Sequence, residues 1–213
     1  MRAALESCGA LSDWPAFASS WDDLDVDRYR TAGDRRRRFG VFSVDAAATI
    51  TREPHQPHVQ QPEYNALFGG VERWFSPVAD AIAASGTLAA ILRFCVATFG
   101  GLDVRPAVWR VEVHQFRIEA RAGLHGEPTP EGIHRDGVDF VLVLLIDRQN
   151  IVSGTTTVYD LRLHPLGSFT LSTPLDAALV DDHRVAHGVT PVAPLDPSRT
   201  GYRDVLVVTF RRR

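Results

Sequence analysis

The stretch Trp109 to Ala120 alternates apolar and polar side chains over twelve residues, as Trp-Arg-Val-Glu-Val-His-Gln-Phe-Arg-Ile-Glu-Ala. In extended backbone successive side chains point to opposite faces, so this pattern predicts a long, half-buried strand. Val138 to Ile146 follows as a β-branched, leucine-rich run that reads as a buried strand. Further strand signals lie at Thr155 to Leu163, Ser168 to Leu171, Ala177 to Val180 and Arg203 to Arg211, separated by Gly, Pro, Asn and Asp clusters. Many short strands with turn signals every ten or so residues favour a sandwich or barrel.

The preceding part of the chain differs. Apolar residues recur at three- and four-residue intervals through Pro62 to Ala84 and again through Gly86 to Gly100, stopping at Gly100-Gly101. That spacing predicts helices. Phe39 to Ile50 is a short strand-like piece, followed by the polar stretch Thr51 to Gln61. The fold expected is mainly β with flanking α-helices. A single domain would span 1–213, with a mainly helical part over 1–100 packing on a β jelly roll over 101–213. At 213 residues the chain is long enough for a substantial core.

Composition narrows the function classes. Apolar residues make up 45% and charged residues 23%, which is ordinary for a soluble protein, and the net charge of −3 gives no general pull toward nucleic acid or an anionic membrane. The local exception is Arg35-Arg36-Arg37-Arg38. A run of that kind reads first as a solvated face, though its guanidiniums also suit the carboxylate of a substrate. Cys8 and Cys95 are far apart and in no metal or redox spacing, which suggests a reducing compartment. Met1 to Trp21 carries Glu6 and Asp13 and has no signal-peptide core, and no apolar run is long enough to span a bilayer. A cytoplasmic location is the expectation.

Three stretches carry chemistry. In Gly132-Ile133-His134-Arg135-Asp136-Gly137, residues at i and i+2 of a strand would project together about 6–7 Å apart, placing an imidazole and a carboxylate on one ion. Alone, a His-x-Asp pair occurs in many chains as a turn beside a strand, and two ligands hold a metal poorly. Asp181-Asp182-His183-Arg184-Val185-Ala186-His187-Gly188-Val189-Thr190-Pro191 offers two more histidines. Fifty-one positions separate Asp136 from His187, enough for intervening strands to return beside the first. Two His and one carboxylate leave half of an octahedral ion open, which suits Fe(II) handling oxygen, whereas a closed zinc site would want thiolates that neither cysteine can supply. In Tyr202 to Phe210, alternation puts Arg203, Val205, Val207 and Thr209 on one face, and an inward arginine there needs an anion.

In this order the three stretches resemble the 2-oxoglutarate/Fe(II)-dependent dioxygenase superfamily, whose core is a double-stranded β-helix of jelly-roll, cupin-like form. His187-Gly188-Val189-Thr190-Pro191 looks like the His-x-Val-x-Pro around the distal ligand in prolyl-hydroxylase-like members. More narrowly, His134-Arg135-Asp136-Gly137, Arg148-Gln149-Asn150-Ile151, Asp181 to Pro191 and Arg203-Asp204-Val205-Leu206 resemble the bacterial L-isoleucine dioxygenase-like branch, which hydroxylates free amino acids. The likeness runs from about Trp109 to the C-terminus and more faintly through Asn65 to Phe75. Val152-Ser153-Gly154 departs from it.

The resemblance implies that His134, Asp136 and His187 bind Fe(II), and it selects His187 over His183. It implies that 2-oxoglutarate chelates the iron and pairs its distal carboxylate with Arg203, with Val189 and Val205 as apolar walls. Oxygen would be the other co-substrate, succinate and CO2 the by-products, and a free L-amino acid or similar small molecule the substrate. Gln115 and Arg117, on the strand before the His-x-Asp, and Asn150, after the buried strand, are the candidate substrate-binding residues. His55-x-x-His58 is a weak ligand pair in a Pro/Gln-rich loop. The rival expectations are a superfamily member acting on nucleic acid or peptide, a cupin isomerase, and a non-catalytic cupin-like binding or sensor protein.

Overall fold

The computed structural model describes residues 1–102 and 108–213. Its strands are β1 (Arg35–Val44), β2 (Ile50–Arg52), β3 (Trp109–Ala120), β4 (Phe140–Gln149), β5 (Ile151–Ser153), β6 (Thr155–Tyr159), β7 (Pro165–Thr170), β8 (Ala177–Asp181), β9 (Ala186–Val189), β10 (Val192–Pro194) and β11 (Gly201–Arg212). Its α-helices are α1 (Arg2–Glu6), α2 (Trp14–Ser19), α3 (Asp80–Ala83) and α4 (Gly86–Gly100). The major sheet is antiparallel, in the order β2-β1-β3-β11-β4-β8; β7-β6-β9 form a second sheet, and β10 pairs with β5.

Both faces of the major sheet are covered, and the alternation along each strand sorts its residues between them. Phe42, Val111, Val113, Leu142, Leu144, Leu206, Val208 and Phe210 join Leu5, Phe17, Trp21, Leu88, Ile91, Leu92 and Phe99 in one core beneath the helices. Phe99 stacks on Phe140 at a centroid distance of 4.6 Å. Cys95 is buried in this layer, and burial pushes its thiol up. The opposite face presents Glu112, His114, Phe116 and Ile118 of β3 and Arg203, Val205, Val207 and Thr209 of β11 to a cavity that the second sheet also lines. No helix among the described residues is long and apolar enough to cross a membrane.

Two sequence expectations need correction in the first hundred residues. The arginine run is not simply a solvated face: it opens β1, the neighbour of β3. Arg35 and Arg37 turn inward and are buried, while Arg36 and Arg38 pair with Glu119 and Asp25 on the other face. Pro62 to Ala84 is not a helix apart from the single turn of α3. Asn65 competes for the backbone there, its Oδ1 accepting the N–H groups of Leu67 and Phe68. Backbone hydrogen bonds between His58 and Arg73 then hold the segment as a bridge.

The longest helix, α4, is capped twice. Ser85 Oγ accepts the Leu88 N–H at 3.1 Å, and the Asp13 carboxylate, from a distant segment, accepts the N–H groups of Gly86 and Thr87 at 2.8 and 3.0 Å. The Thr87 hydroxyl and these amides hold the Asp13 carboxyl below its ordinary value. Asp13→Ala is expected to lower stability by about 1 kcal/mol at neutral pH, read by urea unfolding. Because the folded pKa is depressed, the contribution is present above the unfolded value near about 4 and is lost as pH falls through the folded one. The gap between wild type and variant should therefore close in acid.

Candidate metal centre and its cavity

His134 and Asp136 do not lie on a strand, as i,i+2 alternation predicted; they sit in the connection before β4. Two reciprocal backbone hydrogen bonds of 2.9 Å join His134 to His187 of β9 as an isolated antiparallel bridge. Asp182, fully buried, anchors the rest of the connection. Its Oδ1 accepts the Asp136 N–H at 2.9 Å, and its Oδ2 accepts those of Gly137 and Val138 at 2.8 and 3.1 Å. Burial, then the nearby Asp136 charge, raise the Asp182 carboxyl, and the three amides oppose them. Gly137 turns the chain at φ +75°, where a Cβ would strike the Tyr64 ring.

These constraints gather three side chains. His134 Nε2 is 3.9 Å from Asp136 Oδ1, His187 Nε2 is 3.8 Å from Asp136 Oδ2, and the imidazole centroids are 4.6 Å apart. Donors sharing one ion at bond lengths of about 2.0–2.2 Å stand at most about 4.4 Å apart, and both imidazole–carboxylate separations fall within that limit. His134 Nδ1 lies 3.1 Å from the Gly132 carbonyl and donates to it, which leaves Nε2 as the free lone pair. Burial opposes charge on both imidazoles; at His134 the Asp136 and Glu131 carboxylates outweigh it and raise the pKa, while His187 stays lowered.

Arg203 lines the same cavity and is 3% exposed. No carboxylate of the described residues pairs with it, its Nε is buried without a partner, and burial together with the Arg148 charge brings its pKa down to about 10. Val189 and Val205 are among the cavity walls, as expected.

The three residues expected at the substrate do not reach the cavity. β3 presents its even-numbered residues to the cavity, so Gln115 and Arg117 face the helices. Gln115 Nε2 donates to Ser20 Oγ at 2.9 Å, and Arg117 makes a two-pronged pair with Asp204 and a further bond to Asp22. Asn150 is a turn residue at φ +49°, its amide donating to the carbonyls of Asp196 and Arg199. His183 is largely exposed and bonds Asp139 at 2.9 Å.

Sequence reasoning missed a second polar group in the same cavity. His58 Nδ1 lies 2.9 Å from Glu112 Oε2, and Arg37 Nη2 lies 2.6 Å from His114 Nδ1. His58, Glu112 and His114 form a second set of three donors close enough to one another for one ion. The inward parity shared by Glu112, His114 and Arg203 was available as a signal once β3 and β11 were known to pair.

Comparison with known proteins agrees with this geometry. The family model for 2OG-Fe dioxygenases matches residues 18–209, and the chain belongs to that family. It is therefore an oxidoreductase of the class that uses Fe(II), 2-oxoglutarate and O2. A 3(1)-hydroxy-L-isoleucine 4-dioxygenase of Pantoea ananatis is 22% identical over 210 residues, covering 95% of this chain and 82% of that protein. A solved bsmA homologue from Methylobium petroleophilum is 38% identical with a TM-score of 0.87, covering 98% of this chain and 85% of the other. The IDO structure from Bacillus thuringiensis, at 17% identity, has a TM-score of 0.76 and covers 95% and 83% of the two chains. TqaL, an Fe(II)/α-ketoglutarate-dependent dioxygenase, is 22% identical with a TM-score of 0.76 over 96% and 76%.

If the Asp182 carboxylate is what shapes the connection, Asp182→Ala should weaken Fe(II) binding about 10- to 100-fold while the far-UV spectrum stays native. Anaerobic calorimetric titration with Fe(II) reads this, and an unchanged affinity would show that the loop holds its shape without the anchor.

Proposed function

We propose that the chain hydroxylates a free L-amino acid or similar small molecule, with Fe(II) on His134, Asp136 and His187 and the distal carboxylate of 2-oxoglutarate on Arg203. The observation that carries this reading is one cavity joining a three-donor cluster to a buried, unpaired arginine. A guanidinium kept from water without a counter-charge is costly, and a dicarboxylate co-substrate supplies the missing anion. The two facing sheets serve as the jelly roll of a single domain. Iron, 2-oxoglutarate and oxygen, when bound, supply the oxidising power for an unactivated C–H bond and release succinate and CO2.

The chain's own residues supply placement. Two imidazoles and one carboxylate from a loop and a strand leave the cavity side of an ion to the co-substrates. Arg203 sets the depth at which 2-oxoglutarate lies. Val141, Val143, Val180, Val189, Val205 and Val207 give apolar walls that keep water from the reacting carbon and suit an aliphatic side chain. The amino-acid choice is supported by the Pantoea relative, whose own substrate is a hydroxylated isoleucine by name.

A succinate-release screen across the free L-amino acids with Fe(II), 2-oxoglutarate and oxygen tests the proposal. Coupling to at least one amino acid is expected; coupling only to a nucleic acid or peptide would replace the substrate class. Asp136→Ala should abolish succinate release while leaving the fold intact. Arg203→Met should cost roughly 2–5 kcal/mol of 2-oxoglutarate binding. Calorimetry should show that loss, with the Fe(II) affinity unchanged.

A further inference from the structure

The cavity holds more buried positive charge than one co-substrate carboxylate answers. Arg35 is matched by Asp27, with Nε 2.7 Å from Oδ2. Arg37, 3% exposed, has no carboxylate partner among the described residues. Its Nη2 donates to His114 Nδ1, its guanidinium lies 3.8 Å from the Phe75 centroid and 4.5 Å from that of Phe116, and its Nε is buried without a partner. Arg73, also 3% exposed, donates from Nη2 to Gln60 Oε1 at 2.9 Å, and its Nε too lacks a partner. Glu112, the nearest inward carboxylate on β3, is already engaged by His58 and Arg110. Burial, then repulsion from Arg35, push both guanidiniums down, Arg73 to about 10, and Arg37 is lowered by Arg73 as well. Both arginines line the cavity and flank the Phe75 ring.

We propose that Arg37 and Arg73 together hold the carboxylate of the substrate, as an anion anchor separate from Arg203. This rests on the reading of the chain as a dioxygenase for small carboxylate substrates such as amino acids. Strand register separates the two anchors. Arg203 pairs with Ile118 of β3, and Arg37 pairs with Phe116, so Arg37 lies two strands from β11 and two residues along. The two Cα atoms are therefore on the order of 12 Å apart. Arg203 feels Arg148, whereas Arg37 feels Arg35 and Arg73. Arg73 also feels Glu131, whose Oε1 lies 3.4 Å from His134 Nε2, which puts this pair toward the metal end of the cavity. A carboxylate held there would set the distance between the fixed head of the substrate and the carbon presented to the metal.

His58, Glu112 and His114 are better read as the scaffold of this anchor than as a second metal site. His114 Nδ1 receives the Arg37 guanidinium. A guanidinium has only donors, so His114 Nδ1 must accept, the ring's proton sits on Nε2, and no lone pair is left for a cation. Two adjacent guanidiniums also repel a divalent ion.

The test titrates the full-length Fe(II)·2-oxoglutarate complex, without oxygen, by calorimetry. The ligands are L-valine, L-leucine, L-isoleucine and L-methionine, with their amides and their deaminated acids. Free acids should bind, and the amides should bind about 100-fold more weakly. Arg37→Met and Arg73→Met should each weaken the acids by a similar factor, leave 2-oxoglutarate affinity within about twofold, and leave Tm unchanged or higher, since each removes a buried unpaired charge. Arg37→Lys should recover part of the loss. Equal binding of acids and amides overturns the anchor, as does unchanged acid binding by the variants. So do a loss confined to 2-oxoglutarate, a fall in Tm with weaker binding of every ligand, and a wild type that binds no acid of the panel. Arg37-dependent binding of the deaminated acids alone keeps the anchor and removes the amino-acid reading. Amino acids that release succinate equally from wild type and both variants, in the assay with oxygen, do the reverse.

Discussion

The reciprocal hydrogen bonds between His134 and His187 close a gap of more than fifty residues with two backbone contacts. Each imidazole then projects beside the other without either belonging to the same strand. Such a bridge would be too short to hold its own position, and Asp182 supplies what it lacks. One buried carboxylate takes three successive N–H groups, so the turn after Asp136 is fixed by a side chain rather than by a sheet ladder. A carboxylate that spends its lone pairs on amides is a structural group beside a donor group, and the two aspartates, Asp136 and Asp182, divide those roles.

Charge in the cavity follows from the same architecture. The major sheet is covered on both faces, so the polar residues of its central strand β3 are buried or half-buried whichever way they point. On the helix side the matching is internal, with Arg117 on Asp204 and Gln115 on Ser20. On the cavity side Arg203, Arg37 and Arg73 have no carboxylate of their own among the described residues. Desolvated cations destabilise a fold unless something else brings the anion, and a chain of net charge −3 has enough acids to have paired them. Their confinement to one side of one sheet makes ligand recognition a better account than incomplete packing.

The sequence made the strands legible because alternation is a local property of extended backbone. β3 runs over Trp109–Ala120, as the pattern predicts, and α4 over Gly86–Gly100. Which face of β3 meets the cavity is not local. With Glu112 and His114 on one face and Gln115 and Arg117 on the other, both faces carry polar groups, and only the pairing of Ile118 with Arg203 decides the parity. The arginine run misled for a related reason: a charged stretch looks solvated until Asp27, Glu119 and the aromatic rings that receive it are brought from elsewhere. Pro62 to Ala84 has helical spacing, but Asn65 and the bridge to His58 divert its backbone.

The cluster of His134, Asp136 and His187, which could hold an ion, was legible from residue type and order rather than from geometry, since the strand that was to align His134 with Asp136 does not exist. The triad survives that error because its spacing is set by the partner segment. Once Asp182 and His187 come from one stretch, the first fixes the backbone around Asp136 and the second fixes the backbone of His134. Asp181 to His187 therefore acts as a template on which His134 and Asp136 are laid. A change in that short stretch moves all three donors together, whereas a change in the His-x-Asp connection moves only its own side chains.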